Sequence, residues 1–181
     1  MKNNLLKQSL SKYNLIFEGC DCVGKTKIAK HLCNKYGLKY NHLSAPKDLN
    51  DGKKQYKELI NKLNNNVGNI YDRGWLGEFV YGLLIRGYSP NYLRDLEKNI
   101  NDNNVLILIT APLETIYKWF DDVFITKDLI KPVQNEFLLQ YEHCNINKKF
   151  KLFNDETMSM QKIEFYIEKE IEKYENRKQL N

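Results

Sequence analysis

Short apolar runs alternate along this chain with longer amphipathic stretches. Asn14–Glu18 (NLIFE), Leu38–Leu43, Asn69–Asp72, Val105–Ile109 (VLILI) and Phe150–Phe153 predict strands, with VLILI the most continuous and therefore central. Between them Lys25–Tyr36, about Asp51–Asn64, Trp75–Arg86, Pro90–Asn101, Pro112–Phe120 and Pro132–His143 predict helices. Gly37 follows the first of these at its expected stop, and Ser89-Pro90 supplies an N-cap and a first-turn proline. Near the end, Met160, Ile163, Ile167, Ile171 and Tyr174 recur at steps of three and four. That stripe predicts one helix over 157–179. It spans barely two heptads, so it should dock on the sheet rather than form a coiled coil. Strands alternating with helices predict an α/β fold around a parallel sheet. Two stretches carry no strong period: 1–13, expected to be a polar extension, and about 121–131, expected to be a mobile lid. No repeat or low-complexity linker divides residues 1–181, which read as one domain.

Composition narrows the picture. The chain has 181 residues. At that size about 70% of the unfolded surface can be buried, so no disulfide or metal staple is needed. The hydrophobic fraction is 42%, which excludes wholesale disorder. No stretch reaches the roughly 18 apolar residues of a membrane span, and the first residues lack an apolar signal core. The four cysteines form no zinc-site spacing, and a reduced, cytoplasmic protein is expected. The net charge of +5 suits phosphate-bearing ligands and permits nucleic acid without requiring it. Lysine outnumbers arginine 24 to 4 beside 22 asparagines, which reads as A/T-rich coding. Its useful consequence is that Arg73, Arg86, Arg94 and Arg177 can be weighed one at a time.

One constellation carries chemistry. Gly19-Cys20-Asp21-Cys22-Val23-Gly24-Lys25-Thr26 satisfies GxxxxGK[ST], with an apolar strand before it and a helix after it. Glycines let successive backbone N–H groups turn around phosphates, and the helix N-terminus adds partial positive charge. Lys25 supplies a point charge to the β- and γ-phosphates of a bound nucleotide, and the Thr26 hydroxyl can ligate Mg²⁺. Asn61-Lys62-Leu63-Asn64 fails the base-reading motif of regulatory GTPases at its last position. The main strand ends Ile109-Thr110-Ala111, without the acid of motor-type ATPases. The candidate acid is Asp72, closing a strand and followed by Arg73. At the ligand edge of a parallel sheet that pair suits Mg²⁺ and a second phosphate; the bland alternative is a structural ion pair at a strand end.

Phe17-Glu18-Gly19-x-Asp21-x-x-Gly24-Lys25-Thr26 and Asp72-Arg73, with Leu76 and Val80-Tyr81 behind, resemble thymidylate kinases and their deoxynucleoside kinase relatives. Asp72–Gly87 (DRGWLGEFVYGLLIRG) is similar to thymidylate kinase-like proteins of phages and large viruses. The resemblance implies a P-loop NTPase fold: a five-stranded parallel sheet, helices on both faces and a short lid. It also implies ATP with Mg²⁺ as donor, a nucleotide acceptor whose phosphate Arg73 holds, and Asp72 near the metal. If the chain is viral, the host cytoplasm is its place; a homodimer is compatible. The departures are specific. The second strand ends Ser44-Ala45-Pro46 where relatives carry Arg or Glu, and Gly77 and Gly82 replace base-reading Ser and Gln. The lid region Tyr117–Lys131 has no arginine, leaving Lys118, Lys127 and Lys131 as substitutes, with Lys118 and Lys127 the catalytic candidates. Asp21, His42, Trp75, Glu78, Tyr81 and Arg86 are the remaining candidates for the acceptor side. Each also has a bland reading: core aromatics for Trp75 and Tyr81, a paired carboxylate for Glu78, a helix-end cap for Arg86. The expected activity is phosphoryl transfer to a deoxynucleoside monophosphate. The rivals are a deoxynucleoside kinase, a kinase acting on a base or end within DNA, and a non-catalytic nucleotide-binding relative.

Overall fold

The computed structural model describes residues 2–120 and 125–178. Residues 121–124 of the expected lid lie outside the described residues. Five parallel strands form one sheet in the order β2-β3-β1-β4-β5: β1 (Asn14–Glu18), β2 (Lys39–His42), β3 (Asn69–Asp72), β4 (Asn104–Thr110) and β5 (Lys149–Phe153). The strands β1 and β3 are buried at every position, as expected where helices cover both faces. β1 sits between β3 and β4, with Phe17 level with Asp72 and Glu18 level with Leu108. Its two neighbours belong to opposite windings of the chain, so a crevice opens at the carboxyl end of β1. That is where the glycine-rich loop begins.

Helix α2 (Lys25–Tyr36) lies against β1, β2 and β3, and α8 (Met160–Lys178) packs on β5 and α2. The tail stripe docks as its period required: Ile163, Ile167 and Ile171 are buried. Each such isoleucine contributes about 1.5–3 kcal/mol of apolar burial. Residues 2–10, expected to be a polar extension, are instead helix α1. Leu6 and Leu10 are buried, and Ser9 and Lys12 both donate to the carboxylate of Glu175 on α8, at 3.0 and 2.8 Å. A short apolar stripe is enough to dock a helix whose other face is polar.

On the other helices, α3 (Leu49–Asn65) begins at Asp48, whose carboxylate caps the Asn50 and Asp51 amides. The helix after β3, α4 (Leu76–Leu84), packs on α7 (Lys127–His143), and α5 (Tyr92–Glu97) is shorter than its period suggested. The short helix α6 (Leu113–Trp119) follows β4. The start of α7 is a correction: Pro132 does not open the helix but sits inside it. Ile130, Val133, Phe137 and Tyr141 form one buried face that draws the helix back to Lys127. Pro132 itself is exposed to solvent. Residues 127–131 of the expected lid are thus helical. Among the described residues no helix is long and apolar enough to cross a membrane.

Candidate active site

The loop between β1 and α2 is shaped by close approaches. Gly19 has φ +139°, and a Cβ there would lie 2.2 Å from the Ile109 carbonyl oxygen on β4. Gly24, with φ +87°, would put a Cβ 2.7 Å from Nδ2 of Asn154, whose amide donates to the Val23 carbonyl at 2.8 Å. The backbone contact excludes any side chain at Gly19, and the left-handed φ disfavours one at Gly24. Lys25 opens α2, and its ammonium folds back onto the Gly19 and Cys20 carbonyls at 2.7 and 2.6 Å. Burial pulls its pKa below the ordinary lysine value. A cavity of about 480 Å³ lies in front of this loop, lined by Asp21, Cys22, Gly24, Lys25, Thr26, Arg73, Trp119 and Asn154.

Asp72 ends β3 on the same edge. Its Oδ2 accepts the Thr26 hydroxyl at 2.6 Å and the Tyr40 hydroxyl at 2.7 Å, with His42 Nδ1 3.5 Å away. Burial works to raise its pKa, but these two hydroxyls and the charges of Lys25 and His42 hold it below the usual range, because each favours the charged form. Its other oxygen, Oδ1, is buried and has no hydrogen-bond partner among the described residues. A buried anionic oxygen left open beside a threonine hydroxyl fits a hard divalent cation such as Mg²⁺.

A second cavity, about 460 Å³, opens on the far side of Arg73, lined by Asp21, His42, Ser44, Ala45, Tyr81, Arg86 and Ile125. It adjoins a tight niche of about 30 Å³ that adds Glu18, Tyr56, Gly77, Glu78 and Phe137 to the wall. Asp21 and Arg73 line both large cavities. The Arg73 guanidinium donates to Asp21 at 2.8 Å, and the Tyr81 hydroxyl donates to the other Asp21 oxygen at 2.6 Å. Arg73 itself has a φ of 78°. That left-handed conformation is rare outside glycine.

The remaining candidates sort by contact. Glu78 is buried and engaged by Arg86, Tyr88 and, at 3.3 Å, Tyr56; burial pushes its pKa up against those bonds. Arg86 and Glu78 are therefore one ion pair in the wall of the niche beside the second cavity. Trp75 is a correction: it is wholly buried, its indole N–H donates to Glu97 at 2.5 Å, and its ring is core rather than a base platform. Lys118 pairs with Glu156 at 2.7 Å, and the Lys127 ammonium lies 5.9 Å from the Phe120 ring centre. Neither lysine lines either of the two large cavities. Glu18, Tyr40, Tyr56 and Asn154 entered the site only through the fold. Glu18 carried a signal, an acid closing an apolar strand; Asn154 carried none.

A parallel sheet of this order, with this loop at the end of its central strand, is a P-loop NTPase fold. A scan against protein-family models and a search of curated proteins found no match. Solved structures match across nearly the whole chain. YorR protein from Bacillus subtilis, in complex with phosphorylated GDP, is similar with a TM-score of 0.70 and 21% identity, over 85% of this chain and 92% of that one. Thymidylate kinase from Candida albicans gives 0.63 and 16%, over 91% and 92%. Deoxyadenosine kinase from M. mycoides with bound dATP gives 0.59 and 15%, over 86% and 98%. At these identities the likeness is one of fold.

Proposed function

We propose that this chain is a nucleotide kinase of thymidylate kinase type, moving the γ-phosphoryl group of ATP onto the phosphate of a deoxynucleoside monophosphate. The observation that carries the reading is the junction: one arginine and one aspartate wall both a P-loop cavity and a second cavity of matching size. The P-loop cavity takes the ATP phosphates. Arg73, between the two, holds the acceptor phosphate in line and neutralises charge on the group in flight. Thr26 and Asp72 would hold Mg²⁺, which when bound supplies charge neutralisation at the transferring phosphates. Lys25 leaves its loop carbonyls for the β- and γ-oxygens when ATP enters.

The acceptor cavity favours a phosphate over a free hydroxyl. Ser44 and Ala45, just past the end of β2, bring no carboxylate. The carboxylates lining it and the adjoining niche already have partners: Asp21 is held by Arg73 and Tyr81, Glu18 by backbone amides, and Glu78 by Arg86 with two tyrosines. The test is ADP release from ATP with the common nucleosides, their monophosphates and short DNA. Release with deoxynucleoside monophosphates is expected. ATP binding without release for any acceptor would make the chain a non-catalytic binder, and release with DNA alone would move the acceptor to nucleic acid.

A further inference from the structure

The turn from β3 into α4 is held by a side chain of neither element. Glu18, the last residue of β1, is 1% exposed, and its Oε1 accepts the backbone N–H groups of Gly74 at 3.0 Å and Leu76 at 2.7 Å. The amide just before them, Arg73 N–H, donates to the Phe17 carbonyl at 3.0 Å. Three amides of one turn are thus tied to the end of one strand. Between the ties Arg73 is kept at a φ of 78°. An L side chain sits there only under strain. Gly74 permits the approach, since a Cβ there would lie 2.6 Å from Ile16 Cγ2 and 3.0 Å from Glu18 Oε1.

We infer that Glu18 is the positioning residue for Arg73: its carboxylate fixes the Arg73–Leu76 turn in the strained form that delivers the guanidinium to the junction of the two cavities. The inference rests on the reading of Arg73 as the acceptor-phosphate clamp. Without the acceptor atom, the Gly74 and Leu76 amides become buried donors with no partner. The turn then relaxes, most easily by Arg73 leaving the left-handed region, and the guanidinium moves with it. A shift of about 1 Å in such a clamp can cost on the order of 100-fold in rate. Lys25 and Thr26 stand on α2, outside this turn, so ATP binding stays intact. The bonds of Glu18 run to the turn that carries the arginine, and it acts through that residue.

The experiment compares Glu18→Ala, Glu18→Asp and Glu18→Gln with the unmodified chain, alone and with Arg73→Ala. One readout needs no activity: hydrogen exchange of the Gly74 and Leu76 amides in the ligand-free protein. The other is steady-state kinetics with ATP and dTMP. Glu18→Ala is expected to speed exchange of both amides and to lower kcat/KM for dTMP about 100-fold, with the KM for ATP within about threefold. Glu18→Asp, one methylene too short to reach both amides, should match it, and serves if the alanine variant does not fold. Glu18→Gln keeps the oxygen that accepts Gly74 and Leu76 but turns an NH2 group toward Gly77, so exchange of the Gly74 and Leu76 amides should return to within about threefold and kcat/KM to within about tenfold. In the Arg73→Ala background, Glu18→Ala should add little, because the arginine it positions is gone. Amides that stay protected without Glu18, losses that multiply in the double variant, or an equal rise in the KM for ATP would overturn the inference. Should Arg73→Ala alone leave dTMP kinetics unchanged, the clamp reading falls, while amide exchange still reports on the turn.

Discussion

Two buried ionisable side chains, Lys25 and Glu18, stand at the two ends of the loop that follows β1, and burial pushes each toward its neutral form. Lys25 is the simpler case. Its ammonium satisfies two loop carbonyls, and an unpaired carbonyl is the buried group most readily tolerated. Lys25→Ala should therefore cost only about 1 kcal/mol in urea unfolding while turnover falls by about 100-fold or more. An unfolded variant, or near-normal turnover, would contradict the assignment. Glu18 titrates at about 7 in the folded chain, driven by burial and opposed by the Leu76, Gly77 and Gly74 amides and the Lys25 charge. An unfolded glutamate releases its proton near about 4.3. Between these values the folded state binds the extra proton. This contribution to stability is therefore complete below the unfolded value and lost as pH rises through about 7, as proton linkage requires. Glu18→Gln removes that titration. Its stability relative to the unmodified chain should improve by up to roughly 3 kcal/mol between pH 5 and pH 8 in urea unfolding. A gap that stays constant would mean the carboxyl is not perturbed.

At the scale of elements, the helices dock by apolar stripes and are then pinned by single polar ties. Glu164 on α8 holds both His31, at 2.5 Å, and Lys35, at 2.6 Å, on α2. Burial would raise its pKa, but the bonds from Lys35 and His31 prevail and hold it low. The sign is opposite to that of Glu18: the tie contributes above the unfolded pKa and is lost as pH falls through the folded one. Glu164→Gln should destabilise by about 1 kcal/mol or less at pH 7 and by nothing measurable near pH 3. Unfolding curves at the two pH values decide it; a pH-independent loss would point to packing instead. Stripes such as Ile163–Ile167–Ile171 were legible from spacing, because a helix period survives any tertiary context. The start of α7 was not, because Pro132 punctuates the local code while the Ile130–Tyr141 face responds to a neighbour far away in sequence. The asparagines teach the same lesson. Read as composition they suggest only coding bias, yet Asn14 bonds Asn104 and Asn69 at 3.0 Å each, joining the starts of β1, β4 and β3.

For the whole molecule the question is which acceptor the two cavities are built to serve. A nucleoside hydroxyl must lose a proton on attack, and a placed carboxylate helps. A phosphate monoester, with a second pKa of about 6, is mostly dianionic at neutral pH and needs no base. Ala45 brings no carboxylate to the second cavity, both oxygens of Asp21 are bound to Arg73 and Tyr81, and Asp72 is bound to Thr26 and Tyr40. Deoxynucleoside monophosphates should therefore react at least about tenfold faster, by kcat/KM, than the matching nucleosides. Equal or reversed rates would favour a nucleoside kinase. The parallel sheet, the glycine-rich loop and the Asp72–Arg73 pair follow from the amino-acid sequence alone, because period, glycine placement and motif spacing act over a few residues. Tertiary structure alone decided that Arg73 stands between two cavities, that Glu18 ties down its turn and that Trp75 belongs to the core. Those facts depend on which strand lies beside β1 and how far its side chains reach, and residues some fifty positions apart carry no local sign of meeting.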